Sequence, residues 1–470
     1  MTEAVVVGAG PNGLASAITL AQHGLGVTLL EAAQTVGGGA RTSELTVPGL
    51  LHDECSAVHP TALASPFLRS LELERHGLRW CWPEVDLAHP LETGCAGVLT
   101  RSLDNTAHGL GVDGRSWRRL FGPLAEHYDE LVEDLFRPVL HRPRHPSVLA
   151  RFGPAALLPA TVLARRWRTA EARALFGGVA AHAFHPLGRP LTSAIGLMLT
   201  AAGHAYGWPV AEGGSQSITN AMVARFAELG GTIKTGVLVE SYHEVSHADV
   251  VMLDLAPGAA ARVLGEQLPR HVARAYQHYR HGPGAFKLDL AVEGGVPWRN
   301  DACRRAGTVH VGGTIEEVAA AERAIHFGHL PPRPFVLVGQ QYLADPTRSV
   351  GDVHPIWAYA HVPAGFGGDA TEVVIDQIER FAPGLRERIV EKYVRSTSEL
   401  ATYNPNYVGG DIATGANDLI QLAMRPRITA NPYHTGLPGV YLCSAATPPG
   451  AGVHGMCGHN AARAALRALR

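Results

Sequence analysis

With 470 residues, 46% hydrophobic and 17% charged, the chain is too apolar to be disordered and exceeds the size at which single cores usually split, so two domains are the default. A net charge of −2 offers no basic field for nucleic acid. The six cysteines are scattered without C-x-x-C spacing, which indicates neither a zinc site nor a disulfide framework and suits reduced thiols in a cytoplasm.

The first apolar strand begins about four residues from Met1, so no signal or transit peptide is expected. No apolar run is long and clean enough to span a bilayer. Val5, Val6 and Val7 are consecutive β-branched residues, as expected of a strand buried on both faces of a parallel sheet. Gly8, Gly10 and Gly13 follow in G-x-G-x-x-G spacing, and Leu14, Ile18 and Leu20 begin a helical pattern. Gly8 allows a tight turn, Gly10 lets a pyrophosphate approach the backbone, and Gly13 lets helix and strand pack closely. The helix start supplies free N–H groups and the positive end of a dipole, which suits a diphosphate. Val27 to Leu30 form a second strand, and Glu31 ends it about 20 residues after the turn, where a carboxylate can bind a ribose hydroxyl pair. Glu31 in place of a nearby arginine argues against a ribose 2′-phosphate, which leaves FAD or NAD. Gly37, Gly38, Gly39 and Arg41 then offer a second close approach of backbone and an arginine for phosphate oxygens.

At these residues the chain resembles the FAD-dependent amine oxidase and phytoene desaturase superfamily, whose signature is the glycine turn, the acid and a following twin glycine with an arginine. The resemblance implies FAD, with Glu31 on the adenosine ribose and Gly38, Gly39 and Arg41 near its diphosphate. Pro11, Asn12, Ala32 and Ala40, inside the same motifs, count among the cofactor-binding residues. NAD as the held nucleotide, and Arg41 as a solvated surface charge, are the alternatives.

Residues 45–60 carry His52, Asp53 and His59, which either face the flavin or serve as hydrogen-bonded structural groups. From residue 61 to about 209 the composition turns to helical patterns rich in Leu, Ala and Arg. Leu120, Leu124, Tyr128, Leu131 and Leu135 recur at helical spacing through residues 116–136. Residues 154–168 pair an apolar face with Arg165, Arg166 and Arg168, which suits packing on the same domain or a membrane surface. The insertion is a candidate substrate or cap domain. His182 and His185 stand at i, i+3 without a carboxylate or third ligand, so no metal site is expected.

Residues 212–240 match the superfamily again: a Gly213–Gly214 turn, a helix over 218–229, a stop at Gly230 and Gly231, and a strand over 232–239. The resemblance places the main chain near Leu238 along the adenine side of FAD. Residues 248–257 read as the strand that re-enters the nucleotide domain. Relatives carry a β-meander between these strands, whereas only residues 241–249 fill the gap here, the length of one short connection. Strands over 285–292, 335–343 and 355–363, with helices over 316–324 and 372–381, suit the antiparallel substrate sheet of the superfamily. Some amine oxidases hold a lysine near flavin N5, and Lys287 is the candidate for that role, beside its reading as a solvated edge-strand side chain.

Residues 403–427 resemble an N-P-x-Y-x-G-G-D segment whose loop and following arginine lie near the substrate cavity, which makes Tyr407, Asp411 and Arg425 substrate-side candidates. Residues 436–466 match the strand, glycine-rich turn and C-terminal helix that hold the flavin, and by resemblance Ser444, Gly452, Val453, His454 and Gly455 are its neighbours. His454 is either an acid or base at the ring or a packed histidine bonded to backbone. Cys457, without a paired base in sequence, is not expected to be a nucleophile.

The expected architecture is α/β: a Rossmann-type FAD-binding domain (residues 1–60, 210–257 and 436–470) with a substrate domain of antiparallel sheet and helices (61–209 and 258–435). The expected activity is that of a phytoene-desaturase-like oxidoreductase, with hydride passing from a C–H bond of a largely apolar small molecule to flavin N5 and on to oxygen, a quinone or another acceptor. His454, Tyr407 and Lys287 are the candidate catalytic residues. A redox-neutral isomerase and a non-catalytic FAD-binding subunit are the alternatives, and an amine oxidase is weaker because no aromatic pair is identifiable. The apolar helices of the insertion mark a membrane-docking face, a dimer contact or simply the core, three readings the sequence leaves open along with the oligomeric state.

Overall fold

The computed structural model describes residues 2–470. In its first half the strands are β1 (Glu3–Val7), β2 (Gly26–Glu31), β3 (Thr42–Glu44), β4 (Leu51–Asp53), β5 (Trp80–Cys81), β6 (Val85–Pro90), β7 (Ala96–Leu99) and β8 (Val210–Ala211). They continue with β9 (Thr232–Thr235), β10 (Val250–Leu253), β11 (Gly284–Glu293), β12 (Ala306–Val311), β13 (Val336–Gly339), β14 (Val353–Val362), β15 (Ile389–Arg395) and β16 (Val440–Leu442).

A five-stranded sheet in the order β16-β10-β1-β2-β9 is parallel throughout. Its central strands are covered on both faces, as their unbroken apolar runs require. Ala4 and Val6 of β1 and Val250 and Met252 of β10 join one core, while Val5, Val7, Val251 and Leu253 join the core behind them. The first core includes helix Pro11–Ala21, which packs closely on C-terminal helix Met456–Ala468. A Cβ on Gly458 would lie 1.8 Å from the Asn12 carbonyl oxygen, so glycine sets the distance between these helices.

The second sheet runs β15-β11-β14-β13-β12-β6-β7. It is antiparallel except where β12 pairs with β6 in parallel. Strands β6 and β7 come from the insertion that reads as helical in sequence, so that segment adds a hairpin to the substrate sheet as well as helices. The expected helix over 116–136 is two helices, Gly114–Glu126 and Tyr128–Leu135, and the stretch over 154–168 is divided after Ala156 and restarts behind Pro159. Strand β9 stops at Thr235, and a single 3₁₀ turn, Tyr242–Glu244, leads from it towards β10 without a meander. Among the described residues no single helix is long and apolar enough to cross a membrane.

Three consecutive residues at the end of β4 tie the nucleotide side to the substrate sheet. His52 Nδ1 lies 3.4 Å from Asp289 of β11, Asp53 meets Arg348 at 2.5 Å, and Glu54 pairs with Arg395 at the end of β15. Asp53 also accepts the Ser215 N–H at 2.7 Å and the Thr42 hydroxyl at 2.8 Å. Burial alone would raise the Asp53 carboxyl, but Arg348 and these donors outweigh it and hold Asp53 below the usual carboxylate range. His59 is held by the Ser215 hydroxyl at 2.8 Å and driven by burial to about 4. Of the two readings of His52, Asp53 and His59, these bonds match the structural one.

Removing Arg348 leaves two buried carboxylates, Asp53 and Asp345, without their cation. Arg348→Met is expected to lower unfolding free energy by about 3–5 kcal/mol, measured by urea denaturation. Because the Asp53 carboxyl is depressed in the fold, its contribution is present above the ordinary carboxylate value of about 4 and is lost as pH falls below it. The gap between wild type and Asp53→Asn should therefore close in acid.

Candidate active-site cavity

The two glycine turns meet in space. The Gly37 N–H donates to the Ala9 carbonyl at 2.9 Å, and Gly38, at φ +53°, sits so close that its Cβ would be 2.9 Å from Gly10 Cα. Gly13 serves packing instead, because a Cβ there would stand 1.8 Å from the Gly8 carbonyl oxygen. Glu31, at the end of β2, accepts the Ala9 N–H at 2.7 Å and the Ala33 N–H at 2.9 Å, so the acid is fixed against the first turn. Arg41 is buried; it donates to the Thr35 carbonyl at 2.7 Å and reaches Glu31 at 3.4 Å, which removes its reading as a solvated charge.

A residue that the sequence did not single out completes this end. Asp254 follows β10 and projects its carboxylate into the first turn, where Oδ2 accepts the Gly13 N–H at 2.9 Å. Burial pushes the Asp254 carboxyl up to about 7, against the Gly13 bond and with a further push from Glu31. A carboxylate ending the apolar run of β10, beside β1, is the signal that could have found it.

From these turns a cavity of about 1380 Å³ extends to the inner face of the seven-stranded sheet. That exceeds the 300–1000 Å³ of ordinary small-ligand pockets, so it has room for a dinucleotide and a second molecule. Gly8, Gly10, Pro11, Asn12, Glu31, Ala32, Gly38, Gly39, Ala40, Arg41 and Leu238 line one end, and Gly452, Val453 and His454 line the wall before helix Met456–Ala468. Tyr407 and Arg425 also line it. Ser444 stands outside the lining; its hydroxyl donates to the Leu255 carbonyl at 2.7 Å. Asp411 likewise organises its own loop, accepting N–H groups of Gly282, Ala413 and Gly415 at 2.7–2.9 Å.

Several placements differ from the sequence expectations. Lys287 is neither a solvated edge residue nor part of the cavity lining: β11 lies between β15 and β14, and Lys287 is buried in an ion pair with Asp289. Tyr407 stands by the second glycine turn, where its hydroxyl fills the space in which Gly39 would carry a Cβ. Tyr403 donates to the Gly38 carbonyl at 2.7 Å, so the segment expected near substrate closes over the cofactor motif. His454 is packed: Nδ1 accepts the Met456 N–H at 3.1 Å and burial lowers the imidazole to about 4. Burial pushes the Cys457 thiol up to about 12, so it is no thiolate at neutral pH. Among the described residues no group of three or more His, Cys, Asp or Glu is placed to hold a metal ion.

The far end was not legible in sequence. His182, Phe184, Trp208, Thr308, Trp357 and Tyr359 line it. Trp357 and Tyr359 form an aromatic pair, ring centroids 5.1 Å apart and rings at 80°. The arrangement can hold a phosphate-bearing dinucleotide at one end and an apolar molecule against aromatic walls at the other.

A parallel dinucleotide-binding sheet opening onto a mainly antiparallel sheet is the architecture of amine oxidase-type oxidoreductases. The family model of the NAD(P)-binding Rossmann-like domain matches residues 6–71. Putrescine oxidase, solved with putrescine bound, superposes with a TM-score of 0.63 at 20% identity, covering 99% of each chain. Cyclohexylamine oxidase from Brevibacterium oxydans gives 0.58 at 16% identity, covering 100% of this chain and 99% of that one. The mouse pyridine nucleotide-disulfide oxidoreductase domain-containing protein 2 is 24% identical, over 100% of this chain and 94% of its own.

The Asp254 carboxyl is neutral below about 7 and charged above it, where it would oppose a diphosphate. Dinucleotide affinity, read with added FAD as the probe on protein freed of any bound nucleotide, is expected to weaken about tenfold between pH 6 and pH 8, and Asp254→Asn to flatten that dependence. The raised carboxyl also makes the folded state lose stability as pH climbs from about 4 to about 7, so the same variant should melt above wild type at pH 8 and with it at pH 4.

Proposed function

We propose that this protein is an FAD-dependent oxidoreductase of the phytoene-desaturase-like kind, which removes hydride from a C–H bond of a largely apolar small molecule. One observation carries the reading: a single cavity joins the glycine turns to an apolar, aromatic chamber. The residues present fit FAD. The Gly10–Gly38 contact leaves backbone bare where a diphosphate approaches, and Asn12 is buried there with its side-chain amide oxygen unpartnered. Glu31 would hold the adenosine ribose, and the start of helix Pro11–Ala21 the diphosphate. The wall at Gly452, Val453 and His454 would face the isoalloxazine. When bound, the flavin would supply the hydride acceptor, so the chain needs no strong acid and base pair.

The protein's own groups position and insulate. His454, its Nδ1 committed to the Met456 N–H, fixes the loop against the cavity as a neutral ring. Tyr407, raised well above its usual range by burial, keeps its proton beside Gly39. The chamber is open, and a volume filled by side chains would have favoured a non-catalytic subunit. The likeness to amine oxidases is one of fold; among the described residues the carboxylate nearest Trp357 in the sheet, Asp289, is outside the lining and paired with Lys287, so it is not free to meet an ammonium group.

Val139, Leu157 and Leu419 line the cavity and are also 56%, 61% and 55% exposed, which marks an apolar mouth. Leu140, Leu158 and Ile420 beside them are exposed too. This collar supports peripheral contact with a bilayer, from which an apolar substrate would enter.

The test of the cofactor is the visible spectrum. Purified protein is expected to show a flavin band that bleaches under anaerobic dithionite, and to release intact FAD on denaturation; a colourless protein that cannot be reconstituted with FAD would sink the reading. For the collar, flotation with phosphatidylcholine–phosphatidylglycerol vesicles should recover the wild-type protein, and Leu157→Ser/Leu419→Ser should reduce the bound fraction severalfold.

A further inference from the structure

Strand alternation gives the substrate end of the cavity a particular chemistry. Thr308 and His310 of β12, Leu337 of β13 and Trp357 and Tyr359 of β14 share one face, while Val309, Val338 and Ala358 between them fill the core on the other. His310, Leu337 and Tyr359 are cross-strand neighbours in one row. His182, just beyond helix Ala170–Ala181, lies over this row with Nε2 3.0 Å from His310 Nε2.

Hydrogen-bond economy assigns the protons. His89 Nε2 lies 2.7 Å from the Gly313 carbonyl and must carry its proton there, which leaves Nδ1 bare. His310 Nδ1 is buried without a partner, and a Cβ on Gly178 would collide with it and with His89 Nδ1. A buried N–H without an acceptor is rarer than a bare lone pair, so the His310 proton sits on Nε2 and is donated to His182. His182 then holds its own proton on Nδ1. Burial, helped by His361, lowers the His182 imidazole to about 3, and burial raises the Tyr359 phenol, so both are neutral at physiological pH. The Tyr359 hydroxyl, on a residue 4% exposed, has no hydrogen-bond partner among the described residues. Trp357 Nε1 and Thr308 Oγ1 are buried and unpartnered in the same floor. The carboxylates of the lining, Glu31, Glu240 and Asp254, stand at the dinucleotide end, while Asp289, the cross-strand neighbour of Trp357, is kept out of the lining in its ion pair with Lys287.

We propose that His182 and Tyr359 form a recognition site for an uncharged carbonyl oxygen on an otherwise apolar substrate. The proposal rests on the reading of this chamber as the substrate site. Two neutral donors suit an oxygen lone pair, and with Asp289 committed to Lys287 the lining at this end offers no carboxylate, which leaves an ammonium group desolvated and unpaired. A ligand oxygen would also give the Tyr359 hydroxyl the partner that the protein does not provide.

The test is calorimetric titration of the purified, full-length protein with 2-decanone, n-decylamine and decane at pH 7. The ketone is expected to bind at least about tenfold more tightly than the amine. Tyr359→Phe should lower ketone affinity about tenfold, leave decane affinity unchanged and leave the melting temperature unchanged, since the hydroxyl has no partner to lose. Amine binding equal to or tighter than ketone binding, absence of ketone binding, or an unchanged ketone-to-decane ratio in Tyr359→Phe would each overturn the proposal. The wild-type comparison needs no variant to fold. Binding is read without turnover, so failure here is distinct from failure of the flavin spectrum.

Discussion

The carboxylate of Asp53 is the point from which the active-site geometry follows. It joins the β3–β4 hairpin through Thr42, the start of helix Gln216–Glu228 through Ser215, and the arginine that precedes β14 through Arg348. A charge removed from water in this way is tolerated only while its partners stay in place. His52 and Glu54 repeat the connection on either side, toward β11 and β15. The two sheets are thereby held at a set separation, and the cavity is the space between them.

That space is divided by charge. At the dinucleotide end Glu31, Arg41 and Asp254 crowd the glycine turns, and the neighbouring backbone donors satisfy the two carboxylates. At the sheet end the same burial lowers the His182 imidazole and raises the Tyr359 phenol, so that both are neutral. One physical cause, the removal of water, yields carboxylates held by donors at one end of the lining and neutral donors at the other because the side chains differ, the Lys287–Asp289 pair of the sheet being kept out of the lining.

The nucleotide half was legible because its constraints are written in short spacings. Gly8, Gly10, Gly13 and Glu31 each answer a local demand of a turn or a helix start, and Gly38 reports by its missing side chain that another backbone lies against it. The mainly antiparallel second sheet, too, could be read from its strands. Its floor could not: β12 and β14 are buried on both faces, so periodicity does not tell the core face of Val309 and Ala358 from the cavity face of Thr308 and Tyr359. Lys287 misleads for a related reason. A lysine in a strand reads as solvent-facing, and only the pairing of β11 with β14 and β15 shows that its partner is Asp289, two residues along the same face. Tyr403 and Tyr407 contact Gly38 and Gly39 across more than 360 positions of sequence, a distance at which no local pattern speaks.

The order of strands in the parallel sheet also bears on how the protein is made. Strand β1 is complete within the first turn of the chain, yet its neighbour β10 ends at Leu253, and β10 in turn is flanked by β16, which ends at Leu442. The helix that closes over Asn12 and Ser16 begins only at Met456. A nascent chain leaving the ribosome therefore leaves the β10 edge of β1 unpaired until residue 253 is made, and the side of helix Pro11–Ala21 that meets Gly458 uncovered until the helix from Met456 is made.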